Sequence, residues 1–248
     1  MPRKALFLHI QKTAGTSIIA LTREHYGDSI IHHGDHVGHQ PEDFSDTLFV
    51  SGHFGFEFAR CLMKDRYCFT FLRDPIERIL SFYYFLRTQD PSLFPMYRFA
   101  HEHTLEEFLQ AGFDNPLARP RIWNNQTWQL AYGGYSDPKQ RMPDDFKREE
   151  LLELAIKHLS EFSHVGFTDT VAADQKIILK ALGITPPEKE MVANANPGRK
   201  TIDNLPASTL TLLNELTELD QELYHHACET YKKTRLGSLL KKPLRLFS

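Results

Sequence analysis

Apolar positions in this chain come in short blocks, each followed by a stretch in which they recur at helical spacing. Residues 5–10 form a compact apolar run ending in the turn-prone Gln-Lys-Thr-Ala-Gly, and residues 16–26 then show helical period. The runs at 48–51 and Tyr67–Leu72 combine aromatic and β-branched side chains, and segments of helical period follow at 54–63 and 76–87. Farther on, 149–159 reads as a helix, His164–Phe167 as a short strand, and 169–182 as a helix stopped by Gly183 and the Pro186-Pro187 pair. A last helix is predicted over 208–231, with Ser208 or Thr209 as N-cap. Strands alternating with helices predict an α/β fold with a central parallel sheet flanked by helices on both faces.

Between 88 and 145 the pattern loosens. Pro91, Pro95, Pro116, Pro120, Pro138 and Pro143 interrupt it, leaving one short helix at 105–111, so this stretch reads as an insertion lining a cleft. Residues 194–205 are polar and loop-like. The domain is therefore placed at 1–231. The remainder, 232–248, carries Lys232, Lys233, Arg235, Lys241, Lys242 and Arg245 with no acid and with interspersed leucines. Such a tail is either a solvated end or a segment that lies on an anionic membrane.

Composition narrows the class. With 41% hydrophobic and 25% charged residues over 248 positions, the chain can bury a core unaided, which excludes disordered, collagenous and coiled-coil readings. Cys61, Cys68 and Cys228 are odd in number and lack CxxC spacing, so neither a disulfide framework nor a cysteine zinc site is indicated and a reducing compartment is expected. No window resembles a signal peptide or a membrane span, which predicts a cytoplasmic protein. The net charge of −3 gives no overall pull toward nucleic acid.

Three motifs carry chemistry. In HIQKTAGTS, a loop joins a strand to a helix. Backbone N–H groups at a helix start bind phosphate, Gly15 permits close approach, Lys12 supplies a point charge, and Thr13, Thr16 and Ser17 supply hydroxyls. The lysine precedes the glycine, so this is not the GxxxxGK[ST] triphosphate loop. In FTFLRDPIERILSFYYFLR, Arg73 ends a strand, Asp74-Pro75 opens a helix, and Ser81 lies two turns along: either an ordinary capped helix with its arginines in solvent or, taken with the first motif, a second anion site. In SGHFGFEF, His53 stands at a strand end, where a neutral imidazole can take a proton from a hydroxyl, with Glu57 one helical turn on as the reserve base or as a group that orients the imidazole or the acceptor.

The first two motifs resemble the binding segments of sulfotransferases that use 3′-phosphoadenosine 5′-phosphosulfate (PAPS). Together with GRKTIDNLP they are similar to the carbohydrate branch, especially the heparan sulfate 2-O- and 6-O- and the uronyl 2-O-sulfotransferases. The resemblance implies a single domain similar to nucleotide kinases. It implies that Lys12, Thr13, Ala14, Gly15, Thr16 and Ser17 hold the 5′-phosphosulfate, Arg73 and Ser81 the 3′-phosphate, and Arg199, Lys200 and Thr201 close over the nucleotide. His53 aligns with the base of the glycan enzymes. Where the 2-O enzymes carry another histidine two positions earlier, this chain has Ser51, so acceptor specificity does not transfer.

The same comparison suggests that Trp123, Asn124, Asn125, Gln126 and Trp128 of RIWNNQTWQLAYGG line the acceptor cleft, Trp128 having a core-packing alternative. The cluster His32, His33, His36 and His39 reads as a polar loop, since two glycines and no helix fix a ligand face, and the reaction needs no metal. Golgi relatives carry a membrane anchor that is missing here, which suggests a bacterial enzyme. Removing the six tail cations from the 29 basic residues leaves 23 against 32 acidic, a body of −9 that suits a neutral or weakly charged acceptor: a sugar, glycolipid or small alcohol. Two other classes fit the motifs, a nucleotide-dependent small-molecule kinase and a non-catalytic nucleotide- or glycan-binding module.

Overall fold

Strand β1 (Ala5–Leu8) lies at the centre of a five-stranded sheet ordered β2-β3-β1-β4-β5, with β2 at Ile30–Ile31, β3 at Phe49–Gly52, β4 at Tyr67–Leu72 and β5 at His164–Phe167. Every pairing is parallel, as the alternating pattern requires. The structure is a computed structural model describing residues 2–31, 33–133, 141–187 and 202–233. In chain order the helices are α1 (Gly15–Tyr26), α2 (Phe56–Leu62), α3 (Pro75–Leu86), α4 (Pro95–Glu102), α5 (Leu105–Gln110), α6 (Arg119–Ile122), α7 (Asn125–Ala131), α8 (Arg148–Leu159), α9 (Val171–Ala181), α10 (Ala207–Leu216) and α11 (Glu218–Ala227).

The strands are apolar on both sides because both sides are covered. Phe7, Phe49, Phe69 and Phe71 pack against Ile18 and Ile19 of α1 and Ile178 and Leu179 of α9. Leu6, Leu8, Val50 and Leu72 face the larger core built by α2, α3, α7, α8 and α11. After β1 the chain winds out to β2, returns through β3, and crosses β1 to reach β4. The two neighbours of β1 thus belong to opposite windings, and the carboxyl ends of β3, β1 and β4 flank the crevice where sheets of this type bind ligands.

The expected strands and the parallel sheet are present, and three expectations are corrected. The two-residue edge strand β2 is too short to show a pattern. The stretch 88–145 is more helical than predicted, because Pro95 and Pro120 stand in the first turns of α4 and α6, where proline needs no N–H partner, and so start helices there. The single helix over 208–231 is two, α10 and α11, broken at Thr217, whose hydroxyl donates to Leu213 O at 2.7 Å while Leu216 O accepts from Asn124 N at 2.8 Å. Beyond α11 the helical backbone continues through Cys228–Lys232, and Lys232 and Lys233 pair with Asp169 and Glu229. Two of the six tail cations are therefore neutralised on the body; Arg235, Lys241, Lys242 and Arg245 lie outside the described residues. No described helix is long and apolar enough to cross a membrane.

Candidate active site

The loop after β1 is bent by two residues in the left-handed region, Lys12 (φ 68°) and Ala14 (φ 70°), a conformation that costs an L-residue about 1–2 kcal/mol and curls successive amides toward one side. Side chains inside the loop hold it. The buried Thr13 hydroxyl donates to Ile10 O at 2.7 Å; Ser17 Oγ donates to Ala14 O at 2.9 Å and accepts from Gln175 Nε2 at 2.7 Å. This corrects the role expected of Thr13 and Ser17: their hydroxyl protons brace the turn, and what they offer a ligand is backbone N–H. Thr16 is exposed, and the first turn of α1 contains neither an acid nor a side-chain cap, so it favours an anion.

Gly15 is needed for a further reason. A Cβ there would lie 2.1 Å from His9 Nε2, and the His9 ring cannot easily retreat because it stacks on Phe7 at 4.8 Å and touches His53 at 4.5 Å between centroids. Gly15→Ala is expected to lower stability by roughly 1–3 kcal/mol through overpacking. Thermal denaturation checks this, and an unchanged midpoint would show that the ring moves freely.

Arg73 follows β4. Its guanidinium donates to Lys12 O at 3.2 Å and pairs with Glu77 at 3.4 Å, so the second anion motif touches the first directly. Along α3, Glu77, Ser81 and Phe85 recur at i, i+4 and form one stripe. Arg73 contacts Glu77, and the Lys12 ammonium sits 3.8 Å over the Phe85 ring, which places the half-buried Ser81 between the two cations. Lys12 and Arg73 are in contact, and Ser81 lies on the stripe of α3 between the residues they touch.

His53 follows β3 and is buried. Its Nδ1 donates to His9 O at 2.7 Å, which leaves the lone pair on Nε2; this tautomer follows from the hydrogen-bond network. His53 N also donates to His33 O at 2.9 Å, carrying the β2–β3 pairing past the strand ends. Glu57 lies one turn along, and Arg141 grips its carboxylate with two bonds of 3.0 and 2.7 Å. The orienting partner of His53 is the His9 carbonyl.

The expected acceptor residues Trp123, Asn124 and Gln126 are corrected more strongly. Asn124 and Gln126 expose no surface, and Trp123 is 7% exposed beneath the Arg119 guanidinium. Asn125 and Trp128 are likewise buried, which bears out the core-packing alternative for Trp128. Gln126 instead holds Arg73 by both backbone groups: its Oε1 accepts from Arg73 N at 3.0 Å and its Nε2 donates to Arg73 O at 2.9 Å. Gln129 similarly donates to His9 O at 3.2 Å and Phe54 O at 2.8 Å. Helix α7 is thus a buried polar frame behind the site. Its start is tied down by Asp220, which accepts from Gln126 N, Thr127 N and Thr127 Oγ1 at 3.2, 2.7 and 2.8 Å. Gln129 and Asp220 gave no sequence signal, because their partners are distant in the chain. Arg199, Lys200 and Thr201 lie outside the described residues.

A parallel α/β sheet whose central strand runs through a curled loop into an uncapped helix start is an arrangement that favours phosphate-like anions. The family model described as Sulfotransferase family matches residues 2–233, and the chain belongs to that family. A search of curated proteins finds no match.

Proposed function

We propose that this sulfotransferase takes PAPS as donor and transfers its sulfuryl group to a hydroxyl of a neutral or weakly charged acceptor, a sugar, glycolipid or small alcohol. One observation carries the reading: a single loop holds both halves of the chemistry, its His9 carbonyl orienting His53 and its Lys12 carbonyl meeting Arg73. The acceptor oxygen attacks sulfur, the bond from sulfur to the bridging oxygen breaks, and the hydroxyl proton passes to His53 Nε2. Lys12 leaves Phe85 for the departing oxygen, and the amides that open α1 hold the 5′-phosphate, as positioned charges do in phosphoryl transfer. Arg73 and Ser81 hold the 3′-phosphate. Adenosine 3′,5′-bisphosphate and a sulfate ester result, with no metal required.

Calorimetry on the purified chain tests the donor. Adenosine 3′,5′-bisphosphate is expected to bind more tightly than adenosine 5′-monophosphate by roughly 10- to 100-fold, the worth of a charge-assisted contact of about 1.5–3 kcal/mol, and Arg73→Met should erase the difference. Equal affinity for both nucleotides, or magnesium-dependent ATP binding in their place, would favour the kinase reading. Labelled-sulfate transfer from PAPS that vanishes in Lys12→Ala separates an enzyme from a binding module.

A further inference from the structure

Three imidazoles from three neighbouring strands meet at the carboxyl edge of the sheet. His33, His53 and His9 follow β2, β3 and β1, which are adjacent in that order, and the His53 N to His33 O bond fixes the spacing of the first two. One ring nitrogen of each histidine lies within 4.8 Å of those of the other two. His33 Nδ1 and His53 Nε2 are 3.3 Å apart. Tetrahedral zinc with Zn–N bonds of about 2.0–2.1 Å sets its ligand nitrogens roughly 3.4 Å apart, so this pair already spans one edge and His9 needs only a short approach.

The surroundings suit a metal. His53 donates its other ring N–H to a backbone carbonyl, the arrangement that fixes the tautomer of metal-binding histidines, and Gln129 braces the same carbonyl. His9 and His53 are buried while His33 is exposed, so an ion has a path from solvent. His33 adopts φ 53°, in the left-handed region that histidine enters more readily than most residues, and its Nδ1 lies 3.3 Å from His53 Nε2. The nearby His36 packs instead on Phe54 and Phe58.

We propose that His9, His33 and His53 form a binding site for an imidazole-seeking transition-metal dication such as Zn²⁺, with one position open to water. A consequence rests on the function proposed above: the ion occupies the Nε2 lone pair that otherwise accepts the proton, so the loaded enzyme is switched off. Removing the metal restores it.

The test uses the full chain stripped with a chelator and titrated with Zn²⁺ alone, without donor or acceptor. One equivalent is expected to bind. His33→Asn, which the left-handed backbone accepts, should weaken binding at least about tenfold, since losing even an outer partner of a metal ligand has that effect. His39→Ala, whose ring pairs with Asp43, should leave it unchanged. With Co²⁺ as probe, the visible absorption of the bound ion should be lost in His33→Asn. Absence of stoichiometric binding, or equal binding by wild type and His33→Asn, overturns the proposal. A protein that binds zinc but transfers no sulfate even when stripped of metal upholds the site and overturns the reaction; one that transfers sulfate when stripped but binds no zinc overturns the site alone.

Discussion

Replacing His53 by glutamine is expected to lower turnover by roughly 10²–10⁴-fold while leaving the dissociation constant for adenosine 3′,5′-bisphosphate unchanged, because a positioned base acts on the acceptor proton and not on the nucleotide. Glutamine keeps most of the buried volume between His9 and His33, so loss of activity reports on chemistry and not on collapse of the edge. The sign of the pH dependence is fixed by the role. The base works only when Nε2 is unprotonated, so wild-type turnover should rise with pH, and that rise should be missing from the residual activity of the variant. Steady-state kinetics over a pH series, paired with calorimetry for the nucleotide, measures both. Full turnover in His53→Gln would remove the base assignment and direct attention to Glu57, whose carboxylate Arg141 would first have to release.

The contrast between what the sequence disclosed and what it hid follows from the range of each interaction. Lys12, His53 and Arg73 each stand just past an apolar run, and a parallel sheet gathers such positions at one edge, so their convergence was legible once the runs were read as β1, β3 and β4. The frame behind them was not. Asn124 and Gln126 look like cleft residues because amides bond sugar hydroxyls equally well, yet here they satisfy backbone groups far away in the chain, in the first turn of α11 and just past β4. Helix α7 is buried on every side, so it shows no amphipathic period, and its polar residues hide its place in the core. Thr217 breaks the last long helix without a glycine or proline to announce it; the cause is that Asn124 N takes the Leu216 carbonyl. The juxtaposition of His9, His33 and His53 escaped for the same reason, since His33 read as one of several loop histidines until the β2–β3 pairing placed it beside His53.

That buried frame also sets the largest stability effect. Asp220 and Arg78 are both fully buried. Burial pushes the Asp220 carboxyl up and the Arg78 guanidinium down to about 10, each opposed by the other's charge, so Arg78 stays cationic at neutral pH. The carboxylate also accepts the three donors at the start of α7, and Arg78 donates to Arg121 O at 3.1 Å. Asp220→Ala strands those donors and leaves a buried cation without its counter-charge, and is expected to lower stability by roughly 3–5 kcal/mol. Arg78→Met, which leaves the carboxylate without its cation, should be destabilising by a similar amount. The two are coupled by charge alone, with no hydrogen bond or close ion pair between them, so the double variant should lose less than the sum of the two, and urea denaturation of all four proteins measures the difference. Additivity to within about 0.5 kcal/mol would mean that the two residues act separately. Because Asp220 fixes α7 and Gln126 of α7 holds Arg73 by its backbone, any folded fraction of Asp220→Ala should also bind adenosine 3′,5′-bisphosphate more weakly, linking a residue that touches no ligand to the affinity for the donor.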